Sequence, residues 1–123
     1  MNNAELIVER RWSLAELERR FRETFKATLR IFDERNHRIV NDPRCIDEIG
    51  NVTVDNVTIQ GSAPVGDIET LMQQSLGLKV RIATSNDWKF APKDLPLYRV
   101  HEIPAREGYI DSHALKEKYK ETK

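Results

Sequence analysis

The chain has 123 residues, of which 39% are hydrophobic and 33% are charged, and its 20 basic residues balance its 20 acidic ones. This length suits one domain with a real core, and the hydrophobic content excludes a disordered chain. The formal net charge of zero excludes a global field that would attract the protein to nucleic acid or to an anionic membrane.

The single cysteine, Cys45, excludes an internal disulfide bond and fits a reducing compartment. The first residues lack a basic segment followed by an apolar core, and no apolar run is long enough to span a membrane. We therefore expect a cytoplasmic protein with one domain over residues 1–123 and no membrane partner.

The first predicted elements are a strand over residues 5–10 and a helix over residues 13–25. Ser13 followed by Glu16 is the pattern of a capping box, which marks the start of the helix. Apolar residues then recur every three or four positions, which predicts one buried helix face: Leu14, Leu17, Phe21 and Phe25.

The next elements are predicted strands. The apolar period changes to alternation over residues 28–32, and a polar turn leads to a second strand over residues 37–40, so we predict a hairpin. Residues 51–60 predict a further strand with a turn or bulge at Asp55–Asn56.

A second helix is predicted over residues 65–76, because Pro64 lies near its start and Gly77 just past its end. Residues 79–83 then alternate as a strand, and after a turn residues 88–90 are predicted to run back along this strand. A short last helix is predicted to begin at Asp111–Ser112.

The order of these elements suggests an internal duplication. An offset of 51 residues aligns the second part of the chain with the first and pairs apolar residues with each other: Leu17/Ile68, Phe21/Met72, Leu29/Val80, Ile31/Ile82 and Ile39/Phe90. Glu18/Glu69 and Arg30/Arg81 are identities. We predict two strand-helix-strand-strand units over residues 5–50 and 52–102, followed by an extension over residues 103–123.

The predicted fold class is α+β, with one antiparallel sheet of about six strands, two helices on one face and a short C-terminal helix. Few residues remain to cover the other sheet face. That face is a natural surface for a partner protein or for self-association as a homodimer.

The apolar spacing of residues 21–31 and 77–88 resembles a tandem helix-strand-hairpin pattern in small bacterial proteins without a known activity. The resemblance covers about residues 13–100 and implies no functional residue.

Five residues are candidates for a binding site on that face. Arg30 and Arg81 occupy matching strand positions, and two guanidinium groups there suit carboxylates or phosphates. The alternative is that each arginine pairs with a carboxylate on a neighbouring strand. The aromatic residues Phe32, Trp88 and Tyr98 would join the arginines if the face is open, and would otherwise be core residues.

The sequence offers little support for catalysis. Cys45 and His37 are the one nucleophile-base pair by residue type, but their spacing follows no pattern, so we predict an ordinary thiol. The histidines fall in three separate elements, and no metal site or cofactor is predicted: His37, His101 and His113. No glycine-rich phosphate loop is present in the sequence.

Three functional hypotheses follow. The first is a non-enzymatic protein-interaction or regulatory module that acts through an open sheet face. The second is a nucleic-acid-binding module that uses Arg30, Arg81 and the neighbouring aromatic residues. The third is a small metal-independent hydrolase or ribonuclease that uses His37 and an arginine. The absence of catalytic motifs and the balanced charge favour the first hypothesis.

Overall fold

The protein is described by a computed structural model that covers residues 4–104. In chain order, its elements are β1 (Glu5–Glu9), α1 (Leu14–Phe25), β2 (Thr28–Phe32), β3 (Arg38–Ile39), α2 (Ile46–Ile49), β4 (Asn56–Gln60), α3 (Val65–Leu76), β5 (Lys79–Ala83) and a 3-10 helix (Leu97–Glu102). The helix predicted from Asp111 lies outside the described residues. In the described part of the chain, no helix is both long and apolar enough to cross a membrane.

The fold is mixed α+β, but its strands form two small antiparallel sheets instead of the single sheet of about six strands that we expected. One sheet is the pair β1–β4, and the other has the order β3-β2-β5. Buried and exposed residues alternate strictly along both β1 and β4. These two strands therefore turn one face to the core and pair with each other, separately from β2 and β5.

Capping residues predicted the start of α1 and both ends of α3, and the structure agrees. Ser13 Oγ accepts a hydrogen bond from the Glu16 N–H at 3.0 Å, which confirms the start of α1. Helix α3 ends at Gly77, which has a φ of +71°. A Cβ atom at Gly77 would lie 2.2 Å from the backbone nitrogen of Asn51, so this close approach also requires glycine.

The core lies where the helices meet both sheets. Helix α1 contacts β1 and β2, whereas α3 contacts β4 and β5. The apolar faces of the two sheets contribute fully or nearly buried side chains: Leu6, Val8, Leu29, Ile31, Val57, Ile59, Val80 and Ile82. Because β1 pairs with β4 and β2 pairs with β5, both parts of the chain share one core.

Backbone contacts recur at the offset of 51 residues that the sequence suggested. The Leu14 N–H donates to the Arg44 carbonyl at 2.9 Å, and the Val65 N–H donates to the Leu95 carbonyl at the same distance. Two isolated β-bridges are related in the same way: Ser13–Cys45 and Pro64–Pro96. Each long helix is therefore joined at its start to the segment that follows the hairpin of its own half.

Candidate interaction site

The structure places Arg30 and Arg81 side by side. They are direct partners in the antiparallel pairing of β2 with β5. Their neighbours Ile31 and Ile82 are buried in the core, and side chains alternate along a strand. The two guanidinium groups therefore emerge together on the sheet face that points away from the core.

Phe90 lies beside both arginines. Its ring centroid is 3.8 Å from Arg81 Cζ and 4.9 Å from Arg30 Cζ. Such cation–π contacts contribute about 0.5–1 kcal/mol each at exposed sites. The Phe90 side chain is 38% exposed, so this cluster forms a surface with both aromatic and cationic character.

The sequence alignment paired Phe90 with Ile39, but the two residues occupy different places in their hairpins. Ile39 pairs with Ile31 on β2, but Phe90 forms its β-bridge with Ala83 instead of Ile82. The turn after β5 is one residue longer than the turn after β2. A shift of one residue moves a side chain to the opposite face of a sheet, and this shift places Phe90 on the arginine face.

The three aromatic residues that were predicted for the site, which did not include Phe90, occupy different places. Trp88 is half-buried in the turn after β5. Phe32 ends β2 and lines a separate cleft of about 510 Å³ together with Ile39 and Ile49. Tyr98 lies in the 3-10 helix, where its N–H donates to the Gly61 carbonyl at 2.9 Å. Their part in a binding site stays a prediction.

Arg30 is held by Asp87. Its Nε donates to Asp87 Oδ1 at 2.7 Å, and its Nη2 donates to the Asp87 carbonyl oxygen at 2.8 Å. Arg38 Nη1 lies 2.8 Å from the other carboxylate oxygen. Burial raises the pKa of Asp87, but the hydrogen bonds from Arg30 and Arg38 outweigh burial and hold this pKa below the usual value of an aspartate.

Arg81 lacks a comparable partner. Its nearest carboxylate oxygen within the described residues, Glu69 Oε2, lies 3.7 Å from Nε and already accepts the Ile82 N–H at 2.8 Å. Glu69 Oε1 accepts from Lys93 Nζ at 2.6 Å. Arg81 Nε is buried and has no hydrogen-bond acceptor in the described part of the chain, although 37% of the side chain is exposed.

A cleft of about 520 Å³ begins at Phe90 and runs to the 3-10 helix. Most of its lining is apolar, including Pro92, Leu95 and Ile103. Arg99 also lines the cleft, and its Nε donates to Glu102 Oε1 at 3.0 Å. The arginine pair therefore borders a depression that can take an apolar side chain.

The residues considered for catalysis are spread over separate elements. The side chain of His37 is 71% exposed, and its Nδ1 lies 3.6 Å from Asp33 Oδ2. Cys45 precedes α2, and its N–H donates to Glu48 Oε1 at 3.1 Å. Within residues 4–104, no three histidine, cysteine or acidic side chains are grouped closely enough to hold a metal ion. His113 lies outside the described residues.

Comparison of the chain with protein-family models, with curated proteins and with solved structures finds no match. The contacts of Arg30, Arg81 and Phe90 are therefore the basis on which the site is interpreted.

Proposed function

We propose that this protein is a non-enzymatic protein-interaction or regulatory module, and that it binds a partner protein through the sheet face around Arg30, Arg81 and Phe90. The observation that carries the proposal is the exposed Phe90 ring beside two guanidinium groups. Arginine and aromatic residues dominate the binding energy of many protein interfaces. The cytoplasmic location expected from the sequence stays a prediction.

The nucleic-acid hypothesis has one observation in its favour, the grouping of Arg30, Arg38 and Arg81 near an aromatic ring. Both Arg30 and Arg81 already contact the Phe90 ring, so a stacked base would have to displace a guanidinium group. The formal net charge of zero also favours a protein partner. The hydrolase hypothesis has only the exposed His37 to support it.

We also propose that the two parts of the chain arose by duplication of a strand-helix-strand-strand unit. The hydrogen bonds and bridges that recur at a fixed offset support this proposal. The register of β2 with β5 supports it too, because Arg30 and Arg81 stand at the centre of the pairing. A homodimer would present the same face twice, and self-association is therefore an alternative use of this surface.

The experiment is capture of the partner from the native cell lysate with the tagged full-length chain and two variants. Phe90→Ala removes the exposed ring of the site, whereas Ile7→Ala removes a side chain that is 46% exposed on the other sheet. We expect the wild type and Ile7→Ala to retain one stoichiometric protein at moderate salt, and Phe90→Ala to lose it.

Equal capture by all three proteins would contradict the proposed surface. Recovery of nucleic acid that is released by moderate salt would favour the nucleic-acid hypothesis, because phosphate contacts weaken steeply with salt. If no partner is captured, and the mass of the protein in solution rises to twice the monomer mass as its concentration increases, the homodimer is favoured.

A further inference from the structure

We infer that Arg81 binds a carboxylate on an acidic segment of the partner, and that the cleft beside Phe90 binds an apolar side chain next to that carboxylate. This inference rests on the proposed function and adds the chemistry of the ligand. The two arginines then have different roles, because Arg81 binds the partner whereas Arg30 stabilises the fold.

The first step is the state of the Arg81 side chain. A buried donor without an acceptor is unfavourable, and Arg81 Nε is such a donor within the described residues. Its guanidinium group is not fixed by a hydrogen bond and is still partly exposed. An incoming carboxylate can accept hydrogen bonds from the exposed part of this guanidinium group.

The second step is the support behind this group. Arg81 Cζ lies 3.8 Å from the centre of the Phe90 ring, so the ring supports the guanidinium group from one side. Glu69 is engaged by Lys93 and by the backbone, so it does not compete strongly for Arg81. The positive charge of Arg81 is therefore available to a ligand.

The third step distinguishes a carboxylate from a phosphate. Asp87 engages Arg30 and Arg38, which leaves Arg81 as one guanidinium group to bind an anion. One guanidinium group matches the single charge and two oxygens of a carboxylate, whereas a phosphate ester carries up to two negative charges at neutral pH. The mainly apolar cleft next to Phe90 also favours a peptide segment over a sugar-phosphate chain.

The test is an NMR titration of the full-length chain with ¹⁵N-labelled arginine side chains. The probe is a hexapeptide of alternating glutamate and leucine, and a glutamine-leucine hexapeptide serves as its uncharged control. Loss of one Nε–H signal in Arg81→Lys assigns the resonance. At constant ionic strength, we expect saturable shifts at Arg81 Nε–H and at the Phe90 amide with the acidic peptide alone.

Arg81→Lys keeps the charge but loses the planar pair of donors, and we expect it to weaken peptide binding at the Phe90 amide by about tenfold. Arg19→Lys is the matched control, because Arg19 is 54% exposed on α1 and already bonded to Glu16 and Glu23. We expect this control to bind like the wild type.

Four results would overturn the inference: no saturable shift at Arg81, equal shifts with the glutamine peptide, unchanged binding by Arg81→Lys, or tighter binding of inorganic phosphate or a thymidine hexanucleotide. The proposed function fails separately. If Phe90→Ala loses the captured partner while Arg81→Lys retains it, the interaction surface is supported and the carboxylate contact is contradicted. If the acidic peptide binds at Arg81 but no partner is captured, only the proposed function is contradicted.

Discussion

Arg30 and Arg81 occupy equivalent positions on paired strands, yet their surroundings differ in one decisive way. Arg30 is bonded to Asp87 in the turn after β5. The corresponding residue after β2 is Asn36, whose side-chain oxygen instead accepts from Lys79 Nζ at 2.8 Å. Asn36 and Asp87 both have positive φ, at 69° and 60°. The two turns thus share this left-handed residue but differ in its charge. The turn of the second half binds Arg30 of the first half, whereas the turn of the first half offers no carboxylate at this position to Arg81 of the second half.

The largest expected effect comes from removing the carboxylate that holds Arg30. Asp87→Ala leaves Arg30 and Arg38 without their shared partner, and both contacts are mostly shielded from solvent. We expect the free energy of unfolding, measured by urea denaturation, to fall by about 2–3 kcal/mol. Asp55→Ala is the control, because Asp55 is 92% exposed near Arg10, and it should cost less than about 0.5 kcal/mol.

The same pair of variants gives a pH test. The folded-state pKa of Asp87 lies below its unfolded value of about 3.9, so its stabilisation is complete above that value and is lost as pH falls through the folded pKa. The difference between wild type and Asp87→Ala should therefore be constant above about pH 5 and shrink below about pH 4. A difference that persists undiminished at the lowest pH would show that the carboxylate charge is not the cause.

The next effect compares the arginines directly. Arg30→Met removes two hydrogen bonds to Asp87 and should lower the free energy of unfolding by about 1–2 kcal/mol. Arg81→Met removes a buried donor that has no acceptor and should change stability by less than about 0.5 kcal/mol. Urea denaturation of both variants measures the contrast. Equal losses would mean that Arg81 is as structural as Arg30.

A fourth test uses the identical glutamates of the two helices. Burial raises the pKa of Glu18, and the nearby charge of Asp42 adds to this. Its ionised form is therefore less favourable in the fold than in the unfolded chain, at any pH above the unfolded pKa of about 4.3. Position 93, which corresponds to Asp42, carries a lysine that binds Glu69.

Glu18→Gln should raise the free energy of unfolding at pH 7 by less than about 1 kcal/mol, and this gain should disappear below about pH 4. Glu69→Gln should lower it by about 1 kcal/mol, because the bond to Lys93 loses its charge. Urea denaturation at both pH values measures the two signs. If both variants change the free energy of unfolding in the same direction, the residues at positions 42 and 93 do not determine whether the nearby glutamate stabilises the fold.

The last variant is the most informative for function, and its expected change in stability is small. Asn36→Asp places a carboxylate at the position equivalent to Asp87, beside Lys79, and we expect this carboxylate to compete with the peptide for Arg81. We expect stability to change by less than about 1 kcal/mol and binding of the acidic peptide to weaken several-fold. Asn41→Asp also adds one charge at a residue of positive φ, and it serves as the control in the same titration.

Local signals predicted much of this fold from the sequence. Ser13, Pro64 and Gly77 marked helix boundaries that the structure confirms, and alternation predicted β2 and β5. Helix α2 and the 3-10 helix were missed, because neither is long enough to show a clear helical period. The division into two sheets depends on which distant strands pair, and no local pattern carries that information.

The candidate site was predicted in part for the same reason. Matching strand positions were sufficient to select Arg30 and Arg81. The place of Phe90 beside them was not predicted, because one additional residue in a turn reverses the side-chain direction and the length of a turn is not evident from alternation. The contact of Arg30 with Asp87 joins residues 57 positions apart, and only the tertiary fold brings them together.

The pairing of β1 with β4 has a consequence for synthesis of the chain on the ribosome. Translation proceeds at about 5–20 residues per second, so β1 emerges about 3–10 seconds before its partner strand. During that interval, Ile7 and the apolar face of β1 lie on a strand without a neighbour. Glu5 and Glu9 flank Ile7 on the exposed face of β1. Like charges on neighbouring nascent chains repel each other, so these two glutamates protect β1 from aggregation before β4 is synthesised.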